Sequence, residues 1–243
     1  MQKILAQATE NDNYGVDRML LALGHEGINV SRSSVYRSMK LHGLIHKRKY
    51  YPNGITREDA AAQKSENLLA RDFHSDEPGK KLLTDITEIQ CCDGKLYLAA
   101  VLDCFNGEIV GMAMADNMKA ELCVSAFENA CKGFGYRKML LHSDRGSQFT
   151  SWVFRQALRR YDAVQSMSST GRCYDNARME SFFATLKKEL IYRMGSEHFP
   201  RRQVQSAVFR YINGYYNLRR IYTPNPHGLP PARYREACLT NVA

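Results

Sequence analysis

A chain of 243 residues has room for one large domain and a small one at about 150 residues per domain, and 44% hydrophobic with 24% charged residues is a globular composition, not a disordered or fibrous one. No apolar run reaches the ~20 residues of a bilayer span, and Met1–Gln7 turns polar too soon for a secretory signal. A cytoplasmic protein is expected, and the formal charge of +9 points to an acidic partner.

That charge sits in two places. Residues 31–50 hold Arg32, Arg37, Lys40, Lys47, Arg48 and Lys49 with no acid, and residues 201–243 hold seven arginines against Glu236 alone. The second stretch is interleaved with Tyr211, Tyr215, Tyr216, Tyr222 and Tyr234, a mixture suited to a phosphate backbone and unstacked bases. Nucleic acid is the leading partner, and a merely solvated basic surface is the alternative. The seven cysteines are odd in number and include no C-x-x-C pair, which reads as reduced thiols. His42 and His46 have zinc-ligand spacing, but no cysteine pair stands at the matching distance.

Along the chain, Val16 to Leu23 carries apolar residues at helical spacing, Gly24 and Gly27 break it, and Ser31 or Ser33 can cap a second helix. On that helix Val35 and Met39 face inward, leaving Arg32, Arg37 and Lys40 to solvent or to DNA. Residues 1–50 therefore read as a helix-turn-helix-like DNA-binding segment, with a helical hairpin that only packs as the alternative. Residues 51–78 read as a connector, from Pro52-Asn53-Gly54 to Asp76-Glu77-Pro78, and residues 79–200 as a strand-rich core domain. In the core, strands are predicted at Leu82 to Ile89, Lys95 to Leu102 and Glu108 to Ala115, joined by turns at Asp93-Gly94 and Asn106-Gly107. A helix from Lys119 to Lys132 stops at Gly133 and Gly135. A strand at Met139 to His142 follows, then a helix capped by Thr150 or Ser151 and a strand from Val164 to Met167. A last helix begins near Asn176. This order predicts an α/β fold with helices on the faces of a mixed sheet, followed by a basic C-terminal extension at 201–243.

Three carboxylates stand where chemistry could use them: Asp85 within the first strand, Asp144 just past the fourth, and Glu180 in the last helix. At ~100° per residue Asn176, Ala184 and Lys187 share the side of Glu180, and Phe182, Phe183, Leu186 and Leu190 take the other. Carboxylates ~4 Å apart repel by about 4 kcal/mol at an effective dielectric of 20, so a cluster needs a cation or a proton. All-oxygen ligands favour Mg²⁺ or Mn²⁺, and a pair of such ions serves phosphodiester chemistry. Solvated acids on separate elements are the plainer alternative. His142 reads as packing or as a site residue, Asp175 as a helix cap, and Asn176 as a partner of Glu180 or a phosphate. Asp103 reads as a turn residue or a brace, and the Ser168–Tyr174 loop, with Gly171, as an entry for DNA.

The strings around these acids are specific. They are Thr84-Asp85-Ile86-Thr87, Tyr97-Leu98-Ala99-Ala100-Val101-Leu102-Asp103, His142-Ser143-Asp144-Arg145-Gly146-Ser147-Gln148-Phe149-Thr150-Ser151, and Asp175-Asn176-Ala177 with Glu180-Ser181-Phe182-Phe183 and Leu186-Lys187. Together they resemble the OrfB-type DDE transposases of bacterial insertion sequences, which share the retroviral-integrase catalytic core. The resemblance runs from about Tyr14 to Tyr234. It implies a ribonuclease H-like mixed five-stranded sheet flanked by helices, with a small N-terminal helical domain. It makes Asp85, Asp144 and Glu180 the metal-binding catalytic triad, working with Mg²⁺ or Mn²⁺ as two ions. The implied reaction is strand cleavage and strand transfer at the element's ends, without a covalent enzyme intermediate.

Lys187 matches the family's basic residue that contacts the transposon end, and Tyr216-Asn217-Leu218-Arg219-Arg220 matches its ending, which puts Arg219 and Arg220 on DNA. The sequence departs from the family's pattern at Leu82, where tryptophan is frequent, and at Ile221–Pro226, which intervenes before His227-Gly228. The implied partners are double-stranded DNA, further copies in a synaptic complex, and an upstream-frame protein or fusion; on DNA the chain would sit at the bacterial nucleoid. Two other functions fit the same residues. One is a non-catalytic regulator that occupies element ends without the upstream-frame domain, and the other is a structure-selective nuclease.

Overall fold

The computed structural model describes residues 2–10, 14–45, 65–168 and 173–240. The connector as far as residue 64, with His46, Lys47, Arg48 and Lys49 before it, and the loop at 169–172 with Gly171 lie outside the described residues. Three helices come first: α1 (Gln2–Glu10), α2 (Val16–His25) and α3 (Arg32–Leu41). Residues 65–80 follow without regular structure. The core then runs β1 (Lys81–Cys91), β2 (Gly94–Asp103), β3 (Ile109–Ala115), α4 (Ala120–Phe134), β4 (Leu140–Ser143), α5 (Ser147–Thr150), α6 (Trp152–Arg160), β5 (Val164–Met167) and α7 (Ala177–Leu186). A π-helical stretch at Lys187–Ile191 carries α7 into α8 (Tyr192–Met194); α9 (Arg201–Arg210), a second π stretch at Tyr211–Tyr216, and α10 (Pro231–Thr240) complete the chain.

The five strands form one sheet in the order β3-β2-β1-β4-β5. Tight turns at Gly94 and Gly107 make β1, β2 and β3 antiparallel, and the helical crossovers make β4 parallel to β1 and β5 parallel to β4. Both faces of β1 are apolar, as a central strand requires. Leu83, Ile89 and Cys91 pack beneath α7 and α9, whereas Leu82 packs with Phe127 of α4 and Phe154 of α6 on the other face. The α4 helix lies close on β3 because Gly111 has no side chain: a Cβ there would run into the Ala126 carbonyl.

The helices follow their sequence signals with two corrections. Ser31 caps α3, its hydroxyl accepting from the Ser34 N–H at 3.2 Å, and Ser151 caps α6 in the same way at Phe154. The α4 helix passes through Gly133 and stops only at Gly135, which takes the left-handed conformation (φ 68°). Asp175 was expected to cap the last helix, but it lies in a 3₁₀ turn. Asn176 occupies the cap position, and its side chain makes no capping bond.

The C-terminal segment is not an appended extension. Val204, Val208, Tyr211, Ile212 and Tyr216 belong to the core cluster beneath the sheet, and Ile221 belongs to the core of the three N-terminal helices. Those helices dock on the same segment: the Tyr14 hydroxyl accepts from the Ile221 N–H at 3.1 Å, and a His25 ring nitrogen meets the His227 carbonyl at 2.8 Å. Among the described residues no helix is long and apolar enough to cross a membrane.

Candidate active site

Strand register brings the first two acids level. β1 and β4 run parallel with Leu83 beside His142. Asp85 stands two residues further along β1, and Asp144, two residues past His142, is the first residue beyond the end of β4. Residues two apart share a face, so Asp85 looks the same way as Leu83, toward α7. That helix buries Met179, Phe182, Phe183 and Leu186 against the sheet and leaves Glu180 exposed. Its start is tied to β1 next to Asp85, where Asn176 Nδ2 donates to the Thr84 carbonyl at 3.4 Å.

Backbone amides fix both aspartates. The Ile86 N–H donates to Asp85 Oδ1 at 2.8 Å, and the Gly146 N–H donates to Asp144 Oδ1 at 2.9 Å. Burial and the neighbouring charges of Asp144 and Glu180 push the Asp85 carboxyl up to about 8, against a smaller pull from the Ile86 amide and from Lys187. Burial raises Glu180 as well. Asp85 therefore keeps its proton at neutral pH, a state that a bound cation would replace. Lys187, also shifted down by burial, lies in the field of Glu88 and Asp85. Among the described residues no three His, Cys, Asp or Glu side chains converge as ligands of a single ion. What the three acids share is the charge field centred on Asp85.

The remaining candidates divide clearly. His142 is fully buried, its ring nitrogens meeting Ser166 Oγ at 2.8 Å and Ser168 Oγ at 3.1 Å, and burial pushes it down to about 4 although Asp175 opposes the shift. It is a packing residue behind Asp144. Asp103 is a brace, accepting from the Gly79 and Phe105 amides and the Tyr136 hydroxyl. Asn176, 5% exposed, faces inward with Oδ1 unpartnered, so the expectation of an outward phosphate contact is corrected.

Arg37, Lys40 and Arg219 are exposed; Arg32 is exposed too but bonds Asp17 at 2.7 Å. Arg220 is corrected as a DNA contact. It is 3% exposed, donates to both oxygens of Glu189 at 2.8 Å, and lies over the Tyr216 ring. Of the tail tyrosines, Tyr211 and Tyr216 are corrected with it as core residues, whereas Tyr222 and Tyr234 are half-buried. Sequence reasoning missed the Glu189–Arg220 and Glu108–Arg235 pairs and the bonds that Asp175 makes to Asn67 and Arg71. Each joins residues too far apart in the chain for a local pattern to reveal.

Comparison with known proteins matches residues 1–50 to an HTH-like domain, and 75–173 and 180–239 to integrase core domains. The chain is 37% identical over 212 residues to the transposase for insertion sequence element IS904 of Lactococcus lactis subsp. lactis, covering 86% of this chain and 83% of that one. It is 36% identical over 225 residues to transposase InsF for insertion sequence IS3A of Escherichia coli K12, covering 90% and 76%. The fold is similar to the HTLV-2 integrase catalytic core domain in complex with magnesium, at 18% identity and TM-score 0.50, covering 67% of this chain and 99% of that one. It is similar also to the catalytic core domain of BIV integrase, at 15% identity and TM-score 0.50, covering 68% and 99%.

Proposed function

The chain belongs to the integrase-core transposases of insertion sequences, and we propose that it is the subunit that cleaves DNA at the element's ends and joins it to target DNA. Asp85, Asp144 and Glu180 are the catalytic carboxylates in this reading, and Mg²⁺ or Mn²⁺, as two ions, is the cofactor. The observation that carries it is the placement of Asp85 on the central strand, Asp144 just past β4 and Glu180 on α7 in a chain of the integrase-core family, with Asp85 buried and in the field of the other two. The donors fit a hard divalent cation: they are all oxygen, and the repulsion among them is what such a cation relieves.

The bound metal would polarise the phosphodiester and activate a water or a 3′-hydroxyl. The chain's own residues do the positioning. The Ile86 and Gly146 amides each donate to one oxygen of Asp85 and Asp144 and so orient the two carboxylates. Lys187 offers its ammonium to a phosphate oxygen. Arg37 and Lys40 on α3 and Arg219 on the tail contact the backbone of double-stranded DNA. The proposed working form is an assembly of several copies on DNA, with an upstream-frame product aiding end recognition.

The test uses oligonucleotides carrying the sequences that flank the gene, incubated with the purified chain and Mg²⁺ or Mn²⁺. Asp144→Asn should reduce strand joining by at least about a thousandfold while duplex binding measured in EDTA is kept. Joining at the wild-type rate by that variant would remove Asp144 from the chemistry.

A further inference from the structure

The segment leading in from the N-terminal helices ends in a turn that the catalytic reading does not use. Ala70 and Arg71 both have positive φ, 48° and 65°, backbone that L side chains adopt only when their surroundings impose it. Asn67 Oδ1 holds the turn by accepting from the Ala70 N–H at 3.0 Å, and Leu69 and Phe73 anchor it in the cluster beneath α7. The turn aims Arg71 at Asp175. Arg71 Nε donates to Oδ1 at 2.9 Å, and Asn67 Nδ2 donates to Oδ2 at 2.9 Å. The Asp175 side chain is only 1% exposed, whereas Arg71 is 49% exposed.

Asp175 stands directly before Asn176, which is bonded to β1 beside Asp85, and before the helix that carries Glu180. The same segment grips the strand behind Asp144. Ser166 Oγ accepts from the Leu68 and Leu69 amides at 2.9 and 3.2 Å and meets His142, and the Met167 N–H donates to the Glu66 carbonyl at 3.2 Å. The Ser168 N–H donates to the Ser143 carbonyl at 3.0 Å, one residue before Asp144. One stretch of chain thus touches the supports of two candidate metal ligands on separate elements. A buried ion pair is a weak stabiliser relative to apolar packing, but two directed bonds on one carboxylate fix an orientation.

We propose that Asn67, Arg71 and Asp175 are positioning residues for the strand-transfer reaction: through them the end of the connector sets where Glu180 stands relative to Asp144. The inference rests on the reading of Asp85, Asp144 and Glu180 as metal ligands. Groups that orient metal ligands change metal affinity by about 10- to 100-fold when removed.

Calorimetric titration of the full chain with Mg²⁺ tests it. Arg71→Ala should weaken Mg²⁺ binding by about tenfold or more. Arg71→Lys should recover part of the loss, because the charge returns without the guanidinium fork. Neither should alter binding of a 30-base-pair random duplex in EDTA; Arg71→Ala leaves the buried Asp175 without its counter-charge and should lower the melting temperature, so the titration is run well below the melting temperature of each variant. Asp175→Asn should match Arg71→Ala; if it does not fold, the Arg71 pair decides alone. Mg²⁺ binding by Arg71→Ala equal to wild type, or a loss that Arg71→Lys leaves unrelieved, would overturn the proposal. Wild-type protein that binds no Mg²⁺ would overturn the carboxylate reading and this inference with it, a failure that is seen before any substitution is made.

Discussion

One continuous helical run carries Glu180 near its start and Glu189 further along, and the two ends treat acids in opposite ways. Burial would raise Glu189 too, but Arg220 on both of its oxygens, the Tyr211 hydroxyl at 2.7 Å and Arg18 at 3.2 Å outweigh it and hold the carboxyl below its usual range. Beside the start of that run, on β1, Asp85 is raised to about 8 first by burial and then by Asp144 and Glu180, with the Ile86 amide and Lys187 pulling it down. Where the chain supplies its own cation, the acid is a joint: Arg18 arrives from α2 and Arg220 from the tail. Around Asp85 the largest influence is burial, and the other two carboxylates add to it.

The comparison breaks most visibly if Glu189 is substituted. Glu189→Gln strands Arg220 in a buried position without its counter-charge, and a loss of about 3–5 kcal/mol is expected, read as the shift in a urea unfolding midpoint. Asp85→Asn should move metal-free protein the other way, because it removes repulsion and breaks no pair. A midpoint for Glu189→Gln within error of wild type would show that the joint is not what fastens the N-terminal helices to the core.

The pH dependence sharpens the same contrast. The Asp85 carboxyl titrates near 3.8 when unfolded and at about 8 in the fold. Between those values the folded state binds the extra proton, so stability without metal should fall as pH rises from about 4 to about 8 and level off above. The difference between wild type and Asp85→Asn isolates this group, and it should widen by a few kcal/mol across that window. Mg²⁺ should close the gap at high pH by stabilising the wild type alone. Parallel pH profiles for the two proteins would remove Asp85 from the charge cluster.

Most of this frame was legible because it is local. The apolar run Leu82, Leu83, Ile86 and Ile89, which covers both faces of a central strand, the turns at Gly94 and Gly107, and the caps Ser31 and Ser151 are short-range signals, and they mark the strands and the crossovers that make β4 parallel to β1. With that register, Asp85 and Asp144 fall level as a consequence. What could not be read was pairing over long separations. Arg220 looks like a nucleic-acid contact in one dimension, and only its bond to Glu189, thirty-one residues earlier, shows it to be buried; Tyr211 and Tyr216 likewise turn out to be core. Asp175 looked like a cap because caps are local, and its partners Asn67 and Arg71 lie more than a hundred residues upstream. The π stretch at Lys187–Ile191 also defeats a fixed 100° step, so Lys187 is better located by its field on Asp85 than by its angle from Glu180.

The smallest expected effects lie on α3, and they separate surface arginines from buried ones. Arg37 and Lys40 are exposed, whereas Val35 and Met39 fill the core of the N-terminal helices. Arg37→Ala or Lys40→Ala should change stability by no more than about 0.5 kcal/mol. Each should weaken duplex binding at all sequences and lower the slope of log affinity against log salt by about one. Arg32, bonded to Asp17 at 2.7 Å, is the internal comparison and should lower the slope less, because its charge is partly spoken for. Fluorescence anisotropy on one duplex across 50–200 mM salt measures all three. Unchanged slopes for Arg37→Ala and Lys40→Ala would mean that this face looks away from DNA, and that α3, like the helix end at Glu189, serves packing alone.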